Sequence, residues 1–208
     1  MNIDDRIERR LGYDAGMSVL ADFEAVSPVR HVESPVGRGP AIERLLDVFE
    51  PAFSGSLPPS VYVYGPKGSG KSAVVSALFD RLASHSGPRR AIQTTTRAVE
   101  PTIPGFVYVD ARNASTRFRL YHAMLAAMSD EPVPDHGIGT EELAESLRDA
   151  MRTGPDLVVA VDHTNETETP TAATLIDWLN DVGDRVTPAC IGRDPPDAID
   201  WEPETTVE

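Results

Sequence analysis

The sequence predicts an α/β fold of three layers, a mostly parallel sheet with helices on both faces, and three observations support it. Short apolar runs alternate with amphipathic stretches along the 208 residues, as strand–helix–strand units do. One run, "DLVVAVD", is apolar at nearly every position, as a strand covered on both faces must be. A glycine-rich octapeptide also joins an apolar strand to a helix, the connection characteristic of phosphate-loop nucleotide-binding folds.

The elements follow in order. "IDDRIERRL" places Ile3, Ile7 and Leu11 on one face of a short helix. "SPVRHVESPVGRGP" is punctuated by proline and glycine and reads as extended. "AIERLLDVFEPAF" carries Ile42, Leu45, Leu46 and Phe49 at helical spacing, and "SGSLPPS" turns the chain into the strand "VYVY". The helix opening at Lys71 buries Val74, Val75, Leu78 and Leu82. A long polar connection follows, with an edge strand expected at "AIQTTT". "FVYVDA" is a strand and "STRFRLYHAMLAAM" a helix; "TEELAESLRDAM" is a helix with Thr140 as its N-cap. "DLVVAVD", "TAATLIDWLNDVG" and "VTPACIG" read as strand, helix and strand. Three regions result: residues 1–35, an N-terminal helix and extended lead-in; 36–193, a nucleotide-binding domain; and 194–208, an acidic, proline-rich tail expected to be disordered apart from an anchor at Trp201.

Composition narrows the setting. Asp plus Glu number 33 against 19 Lys plus Arg, a net charge of -14. Such self-repulsion suits a salt-rich cytoplasm, where the Debye length at 1 M salt is about 3 Å. With no basic stripe, strong binding to a phosphate backbone is not expected. The charged N-terminus has no signal-peptide h-region, and no apolar run approaches the roughly 20 residues of a membrane span, so a cytoplasmic protein is expected. The lone Cys190 can form no internal disulfide, and the five histidines show no ligand spacing.

Only two lysines occur, Lys67 and Lys71, and both fall in one loop. Gly65-Pro66-Lys67-Gly68-Ser69-Gly70-Lys71-Ser72 satisfies G-x-x-x-x-G-K-[ST]. Glycines let the backbone wrap closely around phosphates, and successive N–H groups make an anion nest at a helix N-terminus. Lys71 would reach the β and γ phosphates as a compact point charge that arginine's planar fork cannot replace. Ser72 would ligate Mg²⁺, and Asp162, closing "LVVAVD", would support the same ion. The next residue is His163, where many ATPases carry the glutamate that polarises attacking water. A neutral histidine can accept a proton, but its reach is shorter, so slow or absent hydrolysis is expected. Glu166 and Glu168 read as solvated loop charges, and so does Arg193.

These residues together resemble the ATPase part of archaeal replication initiators, the origin-recognition and cell-division-control (Orc/Cdc) class of AAA+ proteins. The resemblance spans roughly residues 17–193. "VYVDARNASTRFRLYHAM" is similar to that family's second strand and following helix, and "HGIGTEELAESLRDAM" to its "G-S-T-D-E-L" helix. "SPVGRGPAIERLL" is similar to the segment that packs around adenine, which implies Val36, Gly37 and Arg38 near the base. The resemblance thus implies a truncated, degenerate AAA+ domain that binds ATP or ADP with Mg²⁺. The family's polar sensor has no match in "CIGR". Its fifth strand, helical lid and winged-helix domain are also expected to lack counterparts, so DNA binding by this chain alone is doubtful. The implied partners are a nucleotide and either a full-length initiator or a second copy of the chain. The alternative reading is a regulatory interaction module, nucleotide-gated or nucleotide-free; a small phosphotransferase is a third.

Overall fold

A computed structural model describes residues 3, 6, 7, 37–86, 102–129 and 132–208. Its elements are α1 (Gly39–Val48), α2 (Glu50–Phe53), β1 (Val61–Val63), α3 (Lys71–His85), β2 (Gly105–Asp110), α4 (Arg117–Met128), α5 (Thr140–Thr153), β3 (Leu157–Asp162), α6 (Ala172–Asn180), β4 (Val186–Ile191) and β5 (Thr205–Val207). A single 3₁₀ turn, Pro196–Ala198, precedes β5. Ile3 and Ile7 are helical and buried, as their spacing predicts. The proposed edge strand "AIQTTT" and Val36 lie outside the described residues.

The five strands form one parallel sheet in the order β2-β3-β4-β1-β5. Alternation along β3 divides the core between its two faces. Val158 and Ala160 join Leu45, Leu46, Phe49, Leu78, Phe79 and Leu82, beneath α1 and α3. Val159 and Val161 join Leu120, Met124, Leu143, Leu147, Leu175 and Leu179, beneath α4, α5 and α6. All six β3 residues are buried, which explains the unbroken apolar run. On the first face Phe49, Phe79 and Phe106 meet edge to face, with centroids 5.4–6.0 Å apart.

Local signals set most boundaries. Thr116 and Thr171 cap α4 and α6 by accepting the backbone N–H of Arg119 and Thr174. Two expectations are corrected here. The helix foreseen from Ala41 to Phe53 breaks at Phe49, because Pro51 has no N–H to donate and its ring would crowd the preceding turn. The N-cap of α5 is Gly139 rather than Thr140, and Glu141 and Glu142 still occupy the dipole-favoured first turn.

The tail is the largest correction. Residues 194–208, expected to be disordered, supply the fifth strand that seemed to have no counterpart. Thr205–Val207 pairs parallel with Val61–Val63 at the sheet edge. Thr205 N donates to Ser60 O at 3.0 Å and Tyr64 N to Val207 O at 2.9 Å. Glu204 takes the Ser60 N–H at 2.7 Å. Trp201 does anchor the segment, its ring edge-on to Tyr62 at 6.4 Å over the cluster of Tyr62, Ala172 and Cys190. Composition suggested disorder, but the backbone ladder and the partly buried Trp201 contact outweigh it.

Candidate functional site

Parallel strands bring their following loops to one edge of the sheet, where α/β proteins bind ligands. Four loops gather there: Gly65–Ser72 after β1, and those after Asp110, Asp162 and Ile191. The first delivers the glycine-rich octapeptide into the N-terminus of α3. Gly68 and Gly70 hold φ of 81° and 90°, left-handed values that other residues adopt only with strain. Lys71 turns back over the loop, donating to Gly65 O at 2.7 Å, Pro66 O at 3.0 Å and Ser69 Oγ at 3.3 Å. Burial holds its ammonium below the ordinary lysine value; the Asp162 carboxylate opposes this shift and Arg193 adds to it. Lys71 therefore sits within electrostatic reach of the ends of β3 and β4.

A cavity of about 210 Å³ opens beside the loop. Gly65, Pro66, Ser69, Gly70 and Lys71 form one part of its wall, while α1 contributes Arg38, Ala41, Arg44 and Leu45. Val63, Val74, Val75 and Val207 add apolar surface. At about 210 Å³ it falls short of the roughly 300–1,000 Å³ of sites that enclose a whole ligand. It could hold part of a nucleotide, the rest lying along the open loop. Larger hollows of about 610 and 660 Å³ open elsewhere without touching the glycine loop, so volume alone does not locate the site.

Of the sequence-predicted residues, Gly65, Pro66, Ser69, Gly70, Lys71 and Arg38 meet in this cavity. Lys67 and Gly68 are on the same loop but exposed, as is Gly37 in its turn before α1. Ser72 is half-buried in the first turn of α3. Asp162 is only 2% exposed. Its Oδ2 accepts the Tyr108 hydroxyl at 2.5 Å, and its Oδ1 accepts the His163 N–H at 2.7 Å. Each carboxylate oxygen keeps a further lone pair. A hydroxyl, a carboxylate and phosphate oxygens form an all-oxygen donor set that fits Mg²⁺.

Beyond Asp162 the chain makes a strained, well-braced turn. His163 has φ 62° and Asn165 φ 59°, both left-handed. Thr169 Oγ1 donates to His163 O at 2.7 Å, and Thr164 Oγ1 to Ile191 O at 3.0 Å. The turn aims the His163 ring at Glu166, with Nδ1 3.0 Å from Oε1, while Arg193 Nη2 lies 2.9 Å from the same oxygen. The solvated reading of Glu166 is thus corrected, while Arg193 is exposed, as expected, but paired. Glu166 retains 18% side-chain exposure and joins β3's loop to β4's. Sequence reasoning missed Tyr108 as a partner of Asp162; strand pairing supplies the clue, since β2 and β3 run in register from Gly105↔Leu157 to Asp110↔Asp162.

Comparisons with known proteins agree with this geometry. The sequence profile of the AAA ATPase domain matches residues 34–191. ORC1-type DNA replication protein 3 of Haloarcula marismortui is 30% identical over 163 residues, 78% of this chain and 39% of that protein. ORC1-type DNA replication protein 5 of Halobacterium salinarum is 26% identical over 155 residues, 71% of this chain and 34% of that one. The chain therefore spans well under half the length of these relatives. Among solved structures, the Aeropyrum pernix ORC1 protein in complex with DNA superposes with a TM-score of 0.61 at 21% identity, covering 84% of this chain and 44% of that one. Cdc6p from Pyrobaculum aerophilum gives 0.56 at 15%, covering 88% and 46%.

Proposed function

The chain belongs to the AAA ATPase domain family and is related to archaeal ORC1-type replication proteins, and on that premise we propose that it binds ATP with Mg²⁺ and hydrolyses it slowly or not at all. The loop amides and the N-terminus of α3 would receive the β and γ phosphates. Lys71 would exchange Gly65 O and Pro66 O for phosphate oxygens, gaining charge-assisted hydrogen bonds in place of neutral ones. Ser72 and Asp162 would hold Mg²⁺, which when bound neutralises phosphate charge. The apolar wall of Leu45, Val63, Val74, Val75 and Val207 would take the base.

One observation carries the slow turnover. The residue after Asp162 is a histidine whose Nδ1 is committed to Glu166, so no free carboxylate stands at the water-polarising position. The relatives' names place them in DNA replication. For this chain the corresponding role is to engage a full-length initiator or a second copy of itself, with nucleotide occupancy as the signal. The acidic composition and the haloarchaeal relatives support work in a salt-rich cytoplasm; among the described residues no helix is long and apolar enough to cross a membrane.

A second reading, an interaction module that needs no nucleotide, is favoured by the internal pairing of the site's charges: Lys71 is satisfied by its own loop, and Arg193, Glu166 and His163 satisfy one another. Calorimetric titration with Mg-ATP in molar KCl, paired with a turnover assay, separates the two. Saturable binding abolished by Lys71→Ala supports the ATP-binding reading, and absence of binding supports the module.

A further inference from the structure

Arg38 is expected from sequence to lie near the base of a bound nucleotide. Its side chain reaches the phosphate loop itself. A Cβ built on Gly70 would meet Arg38 Nε at 3.2 Å, Nη2 at 3.3 Å and Cζ at 3.4 Å, so the guanidinium lies flat across the third glycine of the phosphate loop. Gly70 is the residue immediately before Lys71, and with no side chain it leaves room for this approach. Arg38 also lines the cavity together with Gly65, Ser69 and Lys71. In a chain with 33 acids against 19 basic residues, most arginines at this edge are paired: Arg112 with Asp110 and Arg193 with Glu166. No described carboxylate forms an ion pair with Arg38. An arginine laid over an anion nest is the arrangement that planar, multidentate phosphate recognition uses.

We propose that Arg38 is a phosphate-binding residue, clamping the polyphosphate tail of the nucleotide from the α1 side, opposite Lys71. This rests on the nucleotide-binding reading above and revises the part of the site that Arg38 serves. Arg38 couples α1 to occupancy of the loop, since the helix begins at the next residue, Gly39. High salt sharpens the distinction between contact and mere proximity. With a screening length of about 3 Å in molar salt, only a cation in direct contact with phosphate adds much affinity.

The test is the dissociation constants of ATP, ADP, AMP and adenosine, each with Mg²⁺ in molar KCl, for the wild-type chain, Arg38→Ala and Arg152→Ala. Arg152 lies on α5 and pairs with Asp149, so its removal deletes the same charge away from the loop. A clamp predicts that Arg38→Ala weakens ATP and ADP by about 10-fold or more, as loss of a hydrogen bond to a charged group does. Adenosine is unchanged, and Arg152→Ala has no effect on any ligand. Equal weakening of all four ligands would assign Arg38 to the base and overturn the proposal. Unchanged ATP affinity in Arg38→Ala, with binding still lost in Lys71→Ala, would overturn it alone and leave the nucleotide-binding reading standing. Absence of binding by the wild-type chain would overturn both.

Discussion

On the function proposed above, His163→Glu places a carboxylate at the water-polarising position, and the surroundings set how much this gains. A well-placed general base is worth typically about 10²–10⁴-fold in rate. The surroundings subtract from that. Glu166 Oε1 lies 3.0 Å from the present ring nitrogen, and Asp162 adjoins on the other side, its Oδ2 3.8 Å from Nε2. Two carboxylates about 4 Å apart at an effective dielectric of about 20 repel by roughly 4 kcal/mol. Arg193, 2.9 Å from Glu166, offsets part of this. The remainder favours the protonated form of the new acid, which is no base. We expect about a tenfold rise from the single variant and about a hundredfold rise when Glu166→Gln accompanies it; the extra factor corresponds to about 1.4 kcal/mol of relieved repulsion. Single-turnover phosphate release at saturating Mg-ATP reads both, with affinity measured in parallel. If the double variant is no faster than the single, with binding intact, Glu166 does not restrain the base. If neither exceeds wild type, the base does not limit turnover.

Three further outcomes follow from the packing. Trp201→Ala should cost about 2 kcal/mol, less than the 3–5 kcal/mol of a fully buried aromatic, and lower Tm by about 4–8 °C; no change would mean that the tail is not anchored. Arg185 donates to Gly154 O at 2.9 Å and to Met151 O, and pairs with Asp156 at 2.5 Å, tying the end of α5 to β3 and β4. Arg185→Ala should cost about 1–2 kcal/mol in urea unfolding, discounted for its partial exposure. Burial pushes the Cys190 thiol from 9.0 to about 12, and burial with the Asp194 charge pushes Tyr62 from 10.0 to about 12. Both folded pKa values exceed the unfolded ones, so the unfolded chain releases protons first and stability falls as pH rises through roughly 9 to 12. Cys190 alone should remove about 1.4 kcal/mol by pH 10; urea midpoints at pH 8, 9 and 10 that do not move would contradict this.

How much the sequence disclosed depended on the range of the interaction. Gly65–Ser72 and the strand ending at Asp162 were legible because each is a local pattern: spacing in the loop, unbroken apolarity in the strand. Thr205–Val207 was not. Its three residues sit among acids and prolines, only Val207 is buried, and its pairing with β1 is made by backbone groups that composition does not encode. The pairing of Glu166 with Arg193 is invisible until β3 and β4 are placed side by side. The approach of Arg38 to the phosphate loop was hidden for a related reason: its partner surface, Gly70, is 32 residues away and has no side chain to announce a contact.

The most direct measurement is calorimetry of Mg-ATP binding to the intact chain in molar KCl, wild type beside Lys71→Ala. Saturable one-site binding by the wild type, lost in Lys71→Ala while the far-UV circular dichroism and Tm stay the same, is the predicted result. Heats indistinguishable from dilution in both proteins, with GTP as with ATP, would contradict it.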